Sequence, residues 1–474
     1  MPHIRWLRFC YHTKSILEPW LASPYQPSLR PALPCVYGPL EYREQRALFE
    51  RIDGILSASG LKQDFIDLAL TDRKIDTAAT SARLLERFAR FSVLALRANI
   101  ARILTGLGHR DFCARLADSP LLQWFLHVGQ IDSIKTFSKS SSDRFGQWVS
   151  EESLRVINQK FTALLAATAA DNGTSQPPSA TFGLPDPISY DDIYFDSTCL
   201  KADIHFPTDW VLLRDAARTL MKATVLIRKH GLKNRMPQEP LEFLSEAQAQ
   251  QIIDRMEGVL DQLPTAIKQA HERMIGGRRI ANDYKILSLY DDSVNVIVRG
   301  KAGANVEFGN KLWLGENRDG IIVDYKLYQD NPSDSTLAKP ALERLLDDQK
   351  LEVKQVWGDR GLTSKVNSAM LERRKVGDGF CPRDVTELSH RLANEEGFRD
   401  GLKRRAGTEA RIGIFKNVFL GRPLLARGFK HRELAVGWAT LTHNLWVVAR
   451  MAEAEKKRKE DQEQNTRLPE ALAA

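Results

Sequence analysis

The chain has 474 residues, 43% of them hydrophobic and 27% charged, with a formal net charge of +8. That length suffices for two or three domains with ample core, and the positive balance favours an anionic partner. The five cysteines (Cys10, Cys35, Cys113, Cys199, Cys381) form no CxxC pair, which argues against a structural zinc site or a disulfide scaffold and fits a reducing cytosol.

Residues 1–40 are rich in Pro and aromatics without a clear period, and an extended arm is expected there. MPHIRWLRFCYHTKSILEPW has no apolar core long enough for a signal peptide. From 41 to 171 the pattern is helical: RALFERIDGIL, SARLLERFARFSVLALRANIARILTGL and VSEESLRVINQKFTALLAATAA place apolar residues three to four apart. The longest apolar stretch, FSVLALRANI, is interrupted by Arg97, so no membrane span and a soluble protein are expected. An all-α N-terminal domain follows from this pattern. Its loops GLGHRDF and SKSSSDRF offer side chains to an anionic partner but read more simply as solvated loops. NGTSQPPSATFGLPDP (172–187) concentrates Gly, Pro, Ser and Thr and reads as a linker.

After the linker the period changes. SYDDIYFDSTCL reads as a strand, and PTDWVLLRDAARTLMKATVLIRKHG opens a helix with Thr208 or Asp209 as N-cap and Gly231 as stop. Helical pattern continues to about Ile280, so a helical insert of about 207–285 is expected. NVIVRG, KLWLGEN and GIIVDYKLY read as strands, STLAKPALERLLDDQ as a helix, VKQVWGD and GFCPRD as strands, and Val385 to Ala454 as mostly helix. Trp438, Leu441, Leu445 and Val448 form a helical core stripe. The tail at 455–474 is a charge run, read as a frayed helix end or disorder. The sum is an α/β chain: a mixed sheet flanked by helices over 188–454, preceded by the helical region.

Two aspartates, Asp196 in YDDIYFDSTCL and Asp359 in QVWGDRGL, each close a short β-rich run. Glu409 lies in KRRAGTEARIGIFKN, where Arg405, Glu409 and Lys416 at offsets 0, 4 and 11 fall within roughly 40° of one another on a helix. From Asp400 to Arg432 there are nine Lys/Arg, Arg411 among them, against two acids, so the positive excess clusters around this glutamate as a phosphate-tracking surface would. Three carboxylates without His or Cys suit Mg²⁺ rather than Zn²⁺. RGKAG sets Arg299 and Lys301 around glycines in a β-turn where a phosphate could approach. Each residue also has a plain structural reading: Asp196 as a strand-end turn with Ser197, Asp359 as a turn residue, and Glu409 as half of a surface ion pair with Arg405.

The segments FDSTCLKADIHFPTDWVLLRDAARTL, VIVRGKAGANVEFGNKLWL, VWGDRGLTSKV, GFCPRDVTEL and KRRAGTEARIGIFKNVFLGRPLLARGFKHRELAVGWATLTHNLW resemble the core of bacterial insertion-sequence transposases. The likeness covers about residues 188–450, and more weakly 40–165. It implies a ribonuclease-H-like catalytic domain with an Asp–Asp–Glu triad at Asp196, Asp359 and Glu409, holding two Mg²⁺ for which Mn²⁺ can substitute. It implies as substrates the terminal inverted repeats and target DNA, a homodimer, and a cytoplasmic, nucleoid-associated location in a bacterium. One branch carries Tyr-x2-Arg-x3-Glu-x6-Lys. Arg405, Glu409 and Lys416 match it, with Arg405, Lys416, Arg411, Arg299 and Lys301 as DNA contacts, whereas Leu402 stands at the tyrosine position. The competing expectations are a non-catalytic DNA-binding protein derived from a transposase and another nuclease on the same fold.

Overall fold

The computed structural model describes residues 33, 37–128, 134–169, 171, 176–229, 246–301, 304–421 and 424–471. Most of the arm expected at 1–40 lies outside these, as does the helix stop expected at Gly231.

Among the described residues, seven helices come first: α1 (Leu40–Ala58), α2 (Leu61–Asp72), α3 (Ala82–Thr105), α4 (His109–Asp118), α5 (Pro120–Leu126), α6 (Lys139–Gly146) and α7 (Glu151–Ala166). Their ends follow local chemistry. Gly106 closes α3 in the left-handed region (φ 66°), and the Ser150 side chain accepts from Ser153 N at the start of α7, ahead of Glu151 and Glu152. GLGHRDF and SKSSSDRF do not remain solvated loops. They enter α4 and α6, which meet where His109 Nδ1 lies 2.9 Å from Ser142 Oγ. The described part of the linker is also ordered, with a short α8 (Pro178–Thr181) and buried Phe182 and Leu184.

One apolar core runs from Phe49 through the sheet to the last helix, α15 (Phe429–Ala471), across the 172–187 segment. The Trp438 indole donates to Gly146 O (2.9 Å), Arg155 donates to Tyr325 O (2.5 Å), and a Cβ at Gly437 would stand 3.1 Å from Leu154 and Tyr325. The N-terminal helices therefore share their core with the sheet. The change at 172–187 is one of secondary structure. Trp438, Leu441, Leu445 and Val448 are all buried, as their spacing predicts, and α15 runs on as helix into the charged tail.

The sheet has six strands: β1 (Asp192–Lys201), β2 (Asn295–Lys301), β3 (Ala304–Asn317), β4 (Ile322–Tyr328), β5 (Gln355–Gly358) and β6 (Gly377–Phe380). Their order is β2-β3-β1-β5-β6, and β4 also pairs with β3. β1 pairs antiparallel with β3 from Ile193↔Asn317 to Lys201↔Gly309, while β1, β5 and β6 are parallel. β3 is long enough to pair with β2 through its first half and with β4 through its second. Between β4 and β5 lies α11 (Ala338–Glu343), which widens into a π-helical turn at Arg344–Asp348; α12 (Lys365–Arg374) links β5 to β6. After β6 come α13 (Val385–Asn394) and α14 (Phe398–Ile414).

The expected insert is a helical hairpin between β1 and β2, made of α9 (Asp209–Lys229) and α10 (Glu246–Met274). Thr208 is the N-cap, its Oγ1 accepting from Val211 N. Asp209 instead faces the partner helix, accepting from Gln269 (2.9 Å) and Arg273 (3.1 Å). The hairpin has a small core of its own around Leu212, Ala216, Val259, Ala266 and Leu289.

Candidate active site on strand β1

Asp196 does not close its strand. It is the fifth residue of ten, because β3 pairs with β1 along almost its full length. Asp359 follows the last residue of β5, as expected. The register relates them. Asp192 pairs with Gln355, Ile193 with Val356 and Tyr194 with Trp357, an offset of 163 residues, and Asp196 and Asp359 are separated by the same 163. Paired residues of parallel strands point to one face, about 4.8 Å apart. The stacked rings of Tyr194 and Trp357 (6.1 Å, 12°) show which face this is, and Asp196 and Asp359 each stand two residues further on.

α14 covers that face. Phe398 packs on Trp357 with centroids 6.0 Å apart, and the Arg404 guanidinium sits 4.6 Å from the Tyr194 ring. Further along, Lys416 in the π-helical turn Phe415–Leu420 donates to Thr198 Oγ1 (3.1 Å) and Cys199 O (2.6 Å). The helix thus runs in the direction of β1, with Arg405 and Glu409 between these two anchors. Burial pushes the Asp196 carboxyl up to about 6. The Arg405 guanidinium opposes this shift, the Asp359 and Glu409 carboxylates add to it, and the Ser197 amide, donating to Oδ1 at 2.7 Å, opposes it. Asp196, Asp359, Glu409 and Arg405 are therefore one electrostatic group. Glu409 is its outermost member, with a side chain 61% exposed and 4.0 Å from Arg405, whereas Arg405 Nε is buried without a hydrogen-bond partner. Among the described residues, no three His, Cys, Asp or Glu groups close around a single metal position.

The other expected DNA contacts are placed differently. Lys416 is held on β1 by the two bonds just described, so it serves as an internal anchor for α14. Arg411 turns to Glu316 Oε1 (3.4 Å) and Arg318 O (3.3 Å). Arg299 and Lys301 belong to the end of β2, and their side chains lie outside the described residues. Leu402, at the tyrosine position of the signature, packs with Tyr194, Trp357 and Phe398 in a small apolar cluster.

Two carboxylates that carry no spacing signal prove central. Glu316, opposite Tyr194 on β3, is buried and accepts from Thr408 Oγ1 (2.9 Å), Arg404 (3.3 Å) and Arg411. Burial pushes it up to about 7, against Arg404 and Thr408. It ties α14 to the sheet one strand away from Asp196. Asp334 accepts from Ser197 Oγ (2.8 Å) and Lys311 (3.0 Å). A Cβ at Gly361 would stand 3.0 Å from Asp359 Oδ1 and 3.4 Å from Asp334, so the two aspartates flank that glycine. Only the strand pairing reveals Glu316, and only the fold of the β4–α11 connection reveals Asp334.

No family model, characterised protein or solved structure matches the chain. Among the described residues, no single helix is long and apolar enough to cross a membrane.

Proposed function

We propose that the chain is a DNA transposase that cuts and joins DNA through Asp196, Asp359 and Glu409 on a ribonuclease-H-like sheet. The observation that supports this most is the β1–β5 register, which sets the two aspartates side by side under a helix bearing the glutamate. The strand order β4-β3-β1-β5-β6, antiparallel in its first three strands and parallel in its last three, suits that fold. Of the cations around Glu409, Arg405 beside it and the exposed Lys403 suit a phosphate backbone, whereas Arg404, Arg411, Lys416 and Arg432 are engaged by protein acceptors.

The donor set fits Mg²⁺, or Mn²⁺ in its place, since it consists of carboxylate oxygens alone. Asp196, crowded by two like charges, is a carboxylate that a cation would relieve. Such ions, when bound, would supply an activated water and neutralise charge on the phosphate. Asp196, Asp359 and Glu409 would be the residues that hold them. Arg405 orients Glu409 and offers its guanidinium fork to a phosphate oxygen. Water then attacks the phosphate at the transposon end, and the freed 3′-OH attacks target DNA in the bacterial cytoplasm.

The test is strand cleavage and joining on a labelled fragment carrying the element's own ends, with Mg²⁺, comparing the native chain with Glu409→Gln. Cutting and joining should be lost in the variant while its stability holds, because an exposed i, i+4 pair contributes only ~0.3 kcal/mol. DNA binding without cutting by the native chain would support the non-catalytic reading instead.

A further inference from the structure

Each aspartate of the site takes a hydrogen bond from an amide close to it in the chain. Ser197 N donates to Asp196 Oδ1 (2.7 Å), and Gly361 N donates to Asp359 Oδ1 (2.9 Å). These bonds hold one oxygen of each carboxylate, so the aim of both groups depends on where Ser197 and Gly361 are kept. One side chain reaches both. Asp334, which opens the 3-10 turn Asp334–Thr336 between β4 and α11, accepts from the Ser197 hydroxyl (2.8 Å). It also lies against Gly361, where an added Cβ would stand 3.4 Å from the Asp334 Cβ and 3.4 Å from its Oδ2.

Asp334 is held in turn. Lys311 donates to Asp334 Oδ1 (3.0 Å) and to Pro332 O (2.5 Å), with its side chain only 12% exposed. The buried Asn367, near the start of α12, donates to Ser335 O (2.9 Å) and Leu362 O (2.7 Å). That amide clamps the turn carrying Asp334 to the loop carrying Asp359. Successive side chains of a strand point to opposite faces, so Ser197 and the Asp334 carboxylate it meets lie behind β1, while Asp196 points towards α14. Asp334 therefore supports the site from behind and is not one of the groups that would touch a bound ion beside Asp196.

We propose that Asp334 is a positioning residue that sets the spacing and aim of Asp196 and Asp359. It acts through the Ser197 hydroxyl on one side and through contact with Gly361 on the other. The β1–β5 pairing ends at Tyr194↔Trp357, two residues before the aspartates, so no strand hydrogen bond joins the aspartates themselves. Asp334 supplies the tie beyond the end of that ladder. Displacing it moves Ser197 and Gly361 together, and with them the amides that orient both carboxylates. The proposal rests on the reading of Asp196, Asp359 and Glu409 as the holders of a divalent cation.

The test is the Mn²⁺ affinity of the full-length chain without DNA, read from the free-ion electron paramagnetic resonance signal, with circular dichroism as a check on folding. The binding that counts is the part lost in Asp196→Asn. Asp334→Ala should weaken it about tenfold or more, as the loss of an outer partner of a metal ligand does. Ser197→Ala removes only the hydroxyl and should weaken it severalfold. The double variant should bind no more weakly than Asp334→Ala, because both changes break one chain of contact. Should Asp334→Ala fail to fold, Ser197→Ala decides alone. Native affinity in both single variants would overturn the proposal and leave the metal site standing. Weakened binding in Asp334→Ala with native affinity in Ser197→Ala would make Asp334 a direct ligand, which overturns it as well. Mn²⁺ binding that Asp196→Asn does not change would overturn the site itself, and the proposal with it.

Discussion

α14 contains three glycines, Gly401, Gly407 and Gly413, and the structure assigns opposite signs to their replacement by alanine. Helix propensity alone favours alanine over glycine by ~1 kcal/mol at an interior position. At Gly413 a Cβ would meet nothing within 4 Å, and at Gly407 only Arg404 Nη1 at 3.8 Å, so both changes should stabilise the protein by about that amount. At Gly401 the Cβ would stand 2.0 Å from the Trp357 ring. The ring cannot retreat, because Tyr194 and Phe398 stack on it and its indole nitrogen donates to Asp192 Oδ1 at 2.8 Å. The helix must lift, and overpacking of this kind costs about 1–3 kcal/mol, which exceeds the propensity gain. Urea-unfolding midpoints of the three variants should therefore place Gly401→Ala below the native chain and the other two above it. Lifting α14 also carries Arg405 and Glu409 away from Asp196, so cleavage should fall in Gly401→Ala and not in Gly413→Ala. A Gly401→Ala variant as stable as Gly413→Ala would refute the seating of this helix on Trp357.

Lys416→Met removes two hydrogen bonds from a charged donor and leaves the β1 acceptors unmet, so stability should drop by about 2–3 kcal/mol in denaturant unfolding with little change in the salt dependence of DNA binding. A shallower salt slope at unchanged stability would instead make Lys416 a phosphate contact. The Asp196 carboxyl is raised in the folded state, so its contribution is fully present below about pH 4 and is lost as pH rises through about 6. Without divalent metal, the native chain should lose up to ~3 kcal/mol across that window relative to Asp196→Asn, and under the proposed function that variant should not cleave DNA. Parallel stability–pH curves for the two proteins would contradict the buried, crowded carboxylate. Glu316→Ala strands Arg404 and Arg411 without their carboxylate and should cost about 3–5 kcal/mol in unfolding free energy; a neutral result would mean that the cluster does not hold α14.

Much of this fold follows from periodicity. The α3, α7 and α15 stripes, the apolar runs of β1 and β4 and the helical insert are local patterns, and they are enough to specify the type of each element. Asp359 at a strand end and Glu409 on a helix are legible for the same reason. What local pattern cannot carry is partnership. Asp196 lies within its strand because β3 continues beside it, and it neighbours Asp359 because two segments 163 residues apart share a register.

The stretch around Glu409 shows the division most sharply. Composition determined that cations cluster there, since charge counts are additive and need no geometry. Tertiary packing alone decided which of them remain at the site. Lys416 and Arg411 are drawn into bonds with β1, Glu316 and Arg318, while Arg405 stays with Glu409. A helix sets only the angle between its side chains. Their partners are decided by whichever buried acceptor the opposing sheet presents, and an unmet buried acceptor costs more free energy than a surface charge recovers from solvent.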